Sequence, residues 1–357
     1  MEKKKIVMTG GGTAGHVTPN IALMPALKEA GYEITYIGSY NGMEKELIEA
    51  QNIPYIGISS GKLRRYFDWK NFSDPFKVLK GYRQAVSTLK KLKPNIVFSK
   101  GGFVSVPVVL AARHCHIPAI IHESDLTPGL ANRIAIRGAK KVCCNFPETI
   151  KYLPADKAVL TGSPIRRELF SGDAKASLRY CGFPDHSKPV ILVVGGSSGS
   201  KVINDNVRKV LPELLKQFYI IHLCGKGNLD DQLKNVSGYA QFEYARTELT
   251  DMFALADLAI SRAGANSICE LLALHKPNIL IPLSAAASRG DQILNAKSFA
   301  KQGFSYVIEE EKLTEQLLLS AVKEVYADRE KYKTAMSKSG QMDSIETILE
   351  LIQSESL

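Results

Sequence analysis

Short runs of aliphatic and β-branched residues alternate along this chain with longer stretches whose apolar positions recur every three to four residues. Lys5–Thr9, Ile34–Ile37, Ile96–Ser99, Ala119–His122 and Val142–Cys144 read as strands, and the rhythm restarts with Val190–Val194, Tyr219–Leu223, Leu258–Ser261 and Asn278–Pro282. Alternation of this kind predicts parallel sheets covered by helices on both faces. Each half opens with a strand running into glycines, Gly10-Gly11-Gly12 in the first and Gly195-Gly196-Ser197-Ser198-Gly199 in the second. The expected class is therefore α/β, with two doubly wound Rossmann-like domains whose parallel sheets face each other across a cleft. Turn chemistry at Gly162-Ser163-Pro164, followed by Arg166-Arg167, places the boundary. Thr314–Asp328 and Ser344–Gln353 read as amphipathic helices, each opening on a residue type that caps helix N-termini.

At 357 residues the chain has about the length two such domains need. Basic Lys3-Lys4-Lys5 is followed by glycine before a signal-peptide core can form, so a cytoplasmic protein is expected. The longest mostly apolar stretch, Phe103 to Ala112, is half a bilayer span and is interrupted by Ser105 and Pro107, so membrane contact is expected to be peripheral. Six cysteines without C-x-x-C spacing read as reduced structural thiols, and no metal cage is expected.

Charge changes the picture more. Of the net +10, the segment from Gly61 to Lys93 carries +8. Helical spacing assigns Phe72, Phe76, Leu79, Val86 and Leu89 to a buried face. Leu63, Tyr66, Phe67 and Trp69 precede that periodicity beside Arg64, Arg65 and Lys70, which makes these seven the candidates for contact with an anionic membrane surface. A nucleic-acid-binding protein is the other reading of the charge, but no recognised RNA or DNA motif accompanies it.

Gly10-Gly11-Gly12-Thr13-Ala14-Gly15 satisfies G-x-G-x-x-G between a strand and a helix, a geometry that brings backbone N–H groups to a phosphate. A dinucleotide oxidoreductase also needs an acid at the end of the second strand, and that position reads Gly38-Ser39-Tyr40-Asn41. His16 follows the glycines at a helix start, where it suits a base or an anion ligand as well as a plain cap. Ser99-Lys100-Gly101-Gly102-Phe103 and His122-Glu123-Ser124-Asp125 end two further strands, and the carboxyl ends of strands in an open sheet form its ligand crevice. In the second half, Ser261-Arg262-Ala263-Gly264-Ala265-Asn266-Ser267 leads into a helix with Glu270 one turn in, a place for a diphosphate and a ribose or simply a capped helix. Arg289-Gly290-Asp291-Gln292 supplies polar groups suited to sugar hydroxyls.

Together GGGTAGHV (10–17), KGGFVSVP (100–107), HESDLTPGLAN (122–132), GSPIR (162–166), GGSSGS (195–200), RAGANSICE (262–270) and GDQILNA (290–296) resemble the MurG family of GT-B glycosyltransferases, peripheral UDP-GlcNAc transferases that convert lipid I to lipid II in peptidoglycan synthesis. The resemblance runs nearly the full chain. It implies an inverting transfer of GlcNAc to the MurNAc 4-hydroxyl, no cofactor, and no need for magnesium at the leaving group. It also implies an acceptor and membrane-facing domain over 1–163, a donor domain over 164–340, and a last helix of about 341–357 that packs back on the first. Arg166, Ser197, Leu249, Ala265, Asn266, Ser267, Glu270 and Gln292 are then the expected donor-binding residues. Gly11, Gly12, Thr13, Gly15, Gly101 and Gly102 would face the acceptor diphosphate, and His16, Asp125 and Glu123 are the candidate catalytic residues. Two positions depart from the pattern of many members, Asp125 replacing asparagine and Asp291 replacing glutamine, which puts their amide contacts to the donor sugar in question. The implied partners are UDP-GlcNAc, lipid I, the cytoplasmic membrane face and other cell-wall synthesis and division proteins, with no nucleic acid. A UDP-GlcNAc epimerase is the competing reading within the fold, and the basic, aromatic 61–93 segment argues against it.

Overall fold

The computed structural model describes residues 4–61, 74–196, 199–286, 290–339 and 344–357. The chain forms two compact units, Met1–Arg166 together with Asp343–Leu357, and Arg167–Met342. The first is built on seven parallel strands: β1 Lys4–Thr9, β2 Tyr32–Ser39, β3 Tyr55–Ile58, β4 Ile96–Ser99, β5 Ala119–Glu123, β6 Lys141–Cys144 and β7 Ala158–Leu160. The second has six, also parallel: β8 Val190–Val194, β9 Tyr219–Leu223, β10 Tyr239–Phe242, β11 Leu258–Ser261, β12 Asn278–Leu280 and β13 Tyr306–Val307.

Their spatial orders, β3-β2-β1-β4-β5-β6-β7 and β10-β9-β8-β11-β12-β13, repeat one winding. In both sheets the chain reverses direction across the sheet between the first and fourth strands, β1 beside β4 and β8 beside β11. That reversal leaves a crevice at the strands' carboxyl ends, because the two connecting helices depart to opposite faces. All nine strands expected from the sequence form. The four that were not expected, β3, β7, β10 and β13, are the four sheet edges.

Pleating sorts the first sheet's side chains. Val7, Ile37, Val97, Ile121 and Val142 pack on one face with Ala85, Leu89, Val108 and Val109. Ile6, Met8, Ile34, Tyr36, Ile96, Phe98 and Ile120 pack on the other with Leu23, Leu27 and, from the last helix Ser344–Glu355, Ile348 and Ile352. The apolar run at 103–112 is spent on helix Ser105–His114, whose Val108, Val109, Ala111 and Ala112 are fully buried. Among the described residues no helix is long and apolar enough to cross a membrane. In the second unit, helix Glu315–Ala327 begins on Thr314, whose hydroxyl accepts the Leu317 N–H at 3.2 Å.

Helix Asp74–Leu92 corrects the buried face read from spacing. Its buried stripe runs through Gly81, Ala85 and Leu89, spaced four apart, and a Cβ on Gly81 would run into the Ser59 carbonyl. At about 100° per residue, Leu79 then lies about 200° and Phe76 about 140° away from Gly81. Both are on the outside, Phe76 at 76% exposure and Leu79 at 48%. Val86 is half-buried against the core as expected, and Phe72 lies outside the described residues.

Candidate functional site

The glycine loop after β1 lies at the first sheet's reversal, beside the loop after β4. Gly11 N donates to Gly101 O at 3.3 Å, and a Cβ on Gly102 would collide with the Gly11 carbonyl, so the two loops touch backbone to backbone. Gly12 takes φ +87, a left-handed conformation that costs glycine nothing. Gly12 and Thr13 are exposed, whereas Gly15 and His16 are half-buried in the 3-10 turn Ala14–His16. His16 Nδ1 lies 3.1 Å from the Gly11 carbonyl and 3.1 Å from Thr13 Oγ1. A carbonyl only accepts, so Nδ1 carries the proton and Nε2 is the basic nitrogen of the neutral ring.

The three acidic and imidazole groups at the end of β5 have different tasks. His122 is fully buried between Lys100 Nζ, 2.8 Å from Nδ1, and the Gly162 carbonyl, 2.8 Å from Nε2. Burial and then the Lys100 charge hold its pKa well below the ordinary histidine value. Glu123, 4% exposed, accepts the Asp125 N–H at 3.0 Å, the Gly129 N–H at 3.0 Å and Asn132 Nδ2 at 2.8 Å. Burial raises its pKa from the ordinary glutamate value against the pull of Asn132. Its oxygens are committed to the 124–129 loop, so its geometry suits holding that loop in place. Asp125, half-buried, sits on the loop so held.

In the second unit a pocket at the reversal of β8 and β11 is lined by Val194, Gly196, Leu223, Glu243, Tyr244, Ala245, Leu249, Phe253, Ser261, Ser267 and Glu270. Leu249, Ser267 and Glu270 thus come together from the two helices that flank β11, Glu248–Leu255 and Ala265–Ala273. Ala265 and Asn266 open the helix Ala265–Ala273 behind its N-cap Gly264, where backbone N–H groups and the helix dipole favour an anion. Gln292 stands in helix Asp291–Lys301, and its carbonyl oxygen accepts the Leu283 N–H at 3.0 Å, leaving the amide NH2 as its donor group. Arg166, half-buried, ends the first unit's long N-terminal segment. Ser197, Arg289 and the membrane candidates Leu63, Arg64, Arg65, Tyr66, Phe67, Trp69 and Lys70 lie outside the described residues. Among the described residues no three His, Cys, Asp or Glu side chains gather as metal ligands.

Residues 6–144 match the glycosyltransferase family 28 N-terminal domain, and 190–351 match the family's C-terminal domain. The chain belongs to glycosyltransferase family 28. It is 65% identical over 353 residues, 99% of both chains, to a Lachnospira eligens protein named UDP-N-acetylglucosamine--N-acetylmuramyl-(pentapeptide) pyrophosphoryl-undecaprenol N-acetylglucosamine transferase. The crystal structure of Acinetobacter baumannii MurG superposes with a TM-score of 0.77 at 28% identity, covering 98% of this chain and 99% of that one. A UDP-GlcNAc 2-epimerase from Neisseria meningitidis, bound to UDP-GlcNAc, shares the fold at 12% identity and a TM-score of 0.66, over 98% of this chain and all of the other.

Two polar groups of this family 28 chain escaped the sequence reading. Arg262, 8% exposed, donates to the Ile281 and Pro282 carbonyls at 3.1 and 3.3 Å and to Ser200 Oγ at 2.6 Å, and it pairs with Glu310. It ties the end of β12 to the cap of helix Lys201–Leu214, whose Ser200 accepts the Ile203 N–H. Glu44, fully buried in helix Met43–Glu49, folds back to Ser39 N at 3.0 Å and Gly12 N at 3.2 Å. The acid missing from the end of β2 is therefore supplied five residues on. Its only sequence signal is a glutamate in a first helical turn, a common feature with no pointer to the glycine loop.

Proposed function

We propose that this family 28 chain transfers GlcNAc from UDP-GlcNAc to the MurNAc 4-hydroxyl of lipid I, giving lipid II with inversion at the anomeric carbon. The observation that carries the reading is full-length 65% identity to a transferase named for that donor and acceptor. The pocket of the second unit supports it, pairing an apolar wall at Leu223, Leu249 and Phe253 for a base with Glu270 for ribose hydroxyls. The N-terminus of helix Ala265–Ala273 and Arg166 would stabilise the charge developing on UDP, and Gln292 would donate to the sugar. The glycine loops at 10–15 and 101–102 would take the acceptor diphosphate. His16 is the favoured base, with Nε2 the basic nitrogen in the tautomer its Nδ1 bond selects; Asp125 is the second candidate.

The membrane reading gains area from helix Asp74–Leu92, whose outward Phe76 and Leu79 stand among Lys77, Lys80 and Arg83 and adjoin the Leu63–Lys70 candidates in sequence. Such a mixture suits reversible docking on an anionic leaflet, the cytoplasmic face being where the lipid-linked acceptor is presented.

The test is incubation with labelled UDP-GlcNAc and a lipid I analogue. A β-1,4-linked disaccharide and free UDP are expected. Formation of UDP-ManNAc without an acceptor would replace this reading with the epimerase one.

A further inference from the structure

The two hydrogen bonds made by the peptide unit between Gly11 and Gly12 lie on opposite sides of it. Its N–H, on Gly12, donates to Glu44 Oε2 at 3.2 Å, and its C=O, on Gly11, accepts from His16 Nδ1 at 3.1 Å. A carboxylate and an imidazole are thus joined through one polarised amide. The arrangement is closely fitted: a Cβ on Gly11 would stand 2.6 Å from the Glu44 carboxyl carbon, and one on Gly42 would overlap the same carboxylate. We infer that Glu44 is a positioning residue for the proposed transfer, fixing the tautomer of His16 and raising its basicity through the Gly11–Gly12 peptide.

This rests on the reading of His16 as the base. In the step, the acceptor 4-hydroxyl gives its proton to His16 Nε2 while its oxygen bonds to the anomeric carbon, and the bond from that carbon to the UDP oxygen breaks with its electron pair. The ring becomes an imidazolium whose Nδ1–H still points at the Gly11 carbonyl. Hydrogen bonding to the amide N–H makes its carbonyl a stronger acceptor, so the Glu44 charge stabilises the imidazolium without touching it.

The surroundings leave that charge in place. Burial pushes the Glu44 carboxyl up, but the hydrogen bonds from Ser39, from the start of its helix and from Gly12 outweigh it, and the net pKa is lowered. From β2 and β3, the Tyr36 and Tyr55 phenols face the same carboxylate, and burial together with the Glu44 charge raises both. They stay neutral, bonded to the Gly10 and Ser39 carbonyls. Lys45 and Glu49 of the same helix are half-exposed and pair with each other at 4.0 Å.

The test compares Glu44→Gln, His16→Ala and the double variant. Glu44→Gln is expected to lower kcat about tenfold and to move the acidic limb of its pH profile about one unit lower, with UDP affinity unchanged. In the His16→Ala background the same substitution should do nothing further to kcat. An equal loss in both backgrounds, or an acidic limb that does not move, overturns the relay and leaves the base standing. An unchanged kcat in His16→Ala removes the base, and the relay with it. Should Glu44→Gln fail to fold, 15N NMR of the wild-type ring decides: a neutral His16 protonated on Nδ1 supports the proposal, and one protonated on Nε2 overturns it.

Discussion

At the scale of single residues, binding and pH response each turn on one side chain of the second unit. Glu270 faces the pocket of the second unit from the first turns of helix Ala265–Ala273. A carboxylate accepting from ribose hydroxyls contributes ~1.5–3 kcal/mol, so Glu270→Ala should weaken UDP binding by roughly 10- to 150-fold in calorimetry. An affinity within twofold of wild type would misplace the ribose. Buried His222, held between Tyr239 Oη at 2.9 Å and Asn204 Oδ1 at 3.0 Å, has its pKa pushed down to about 3 by burial and then by Arg208. Folded His222 is neutral, whereas the unfolded ring protonates near its ordinary pKa of about 6.5. Its contribution is therefore complete above about pH 6.5 and is lost as pH falls towards 3. Between pH 7 and pH 5 the second unit should lose about 2 kcal/mol through this ring, and His222→Gln should flatten that slope in urea titrations. His122 in the first unit, also lowered, acts in the same direction.

Elements were legible where they are buried on both sides. All nine strands read from the sequence lie inside the sheets, where a run such as Ile96–Phe98 or Val190–Val193 must be apolar throughout because helices cover both faces. The four unread strands are edges of two to four residues, and half-buried positions such as Tyr55, Ala158 and Tyr306 carry no such signal. Site loops were legible as glycine punctuation, but what fills them was not. Glu44 reaches the glycine loop from a different helix, and Arg262 reaches the end of β12, by tertiary folding that spacing does not encode. Helix Asp74–Leu92 shows the same limit, since its buried stripe was set by Gly81 and Ala85, residues too small to register in an apolar pattern. Its outward face makes a prediction: Phe76→Ser with Leu79→Ser should reduce co-sedimentation with anionic vesicles several-fold while leaving UDP affinity unchanged. Retained sedimentation would confine any membrane contact to other parts of the chain.

For the whole molecule, the decisive feature is that the chain's end belongs to its beginning. Ile348 and Ile352 are fully buried against Leu23, Leu27 and Phe98, Ser344 Oγ donates to the Ser163 carbonyl, and Tyr32 Oη meets Ser356 Oγ at 2.9 Å. Lys140 pairs with Glu355 at 2.6 Å, and Asn95 Nδ2 donates to the Leu357 carbonyl at 2.8 Å. Burying two isoleucines stabilises by ~3–6 kcal/mol. Truncation after Ser339 should therefore destabilise the first unit by that order in urea melts and leave UDP binding by the second intact; an unchanged first-unit midpoint would count against the packing. The same closure dictates an order of events at the ribosome. Once Arg166 has emerged, the intervening unit must still be translated, which takes roughly ten to thirty seconds. Through that interval the first unit's sheet carries a bare strip beside Leu23 and Leu27, open to chaperones and to the strips of sister chains on the same polysome. The second unit, continuous in sequence, can complete itself first, so the half of the enzyme made earlier is the half that matures last.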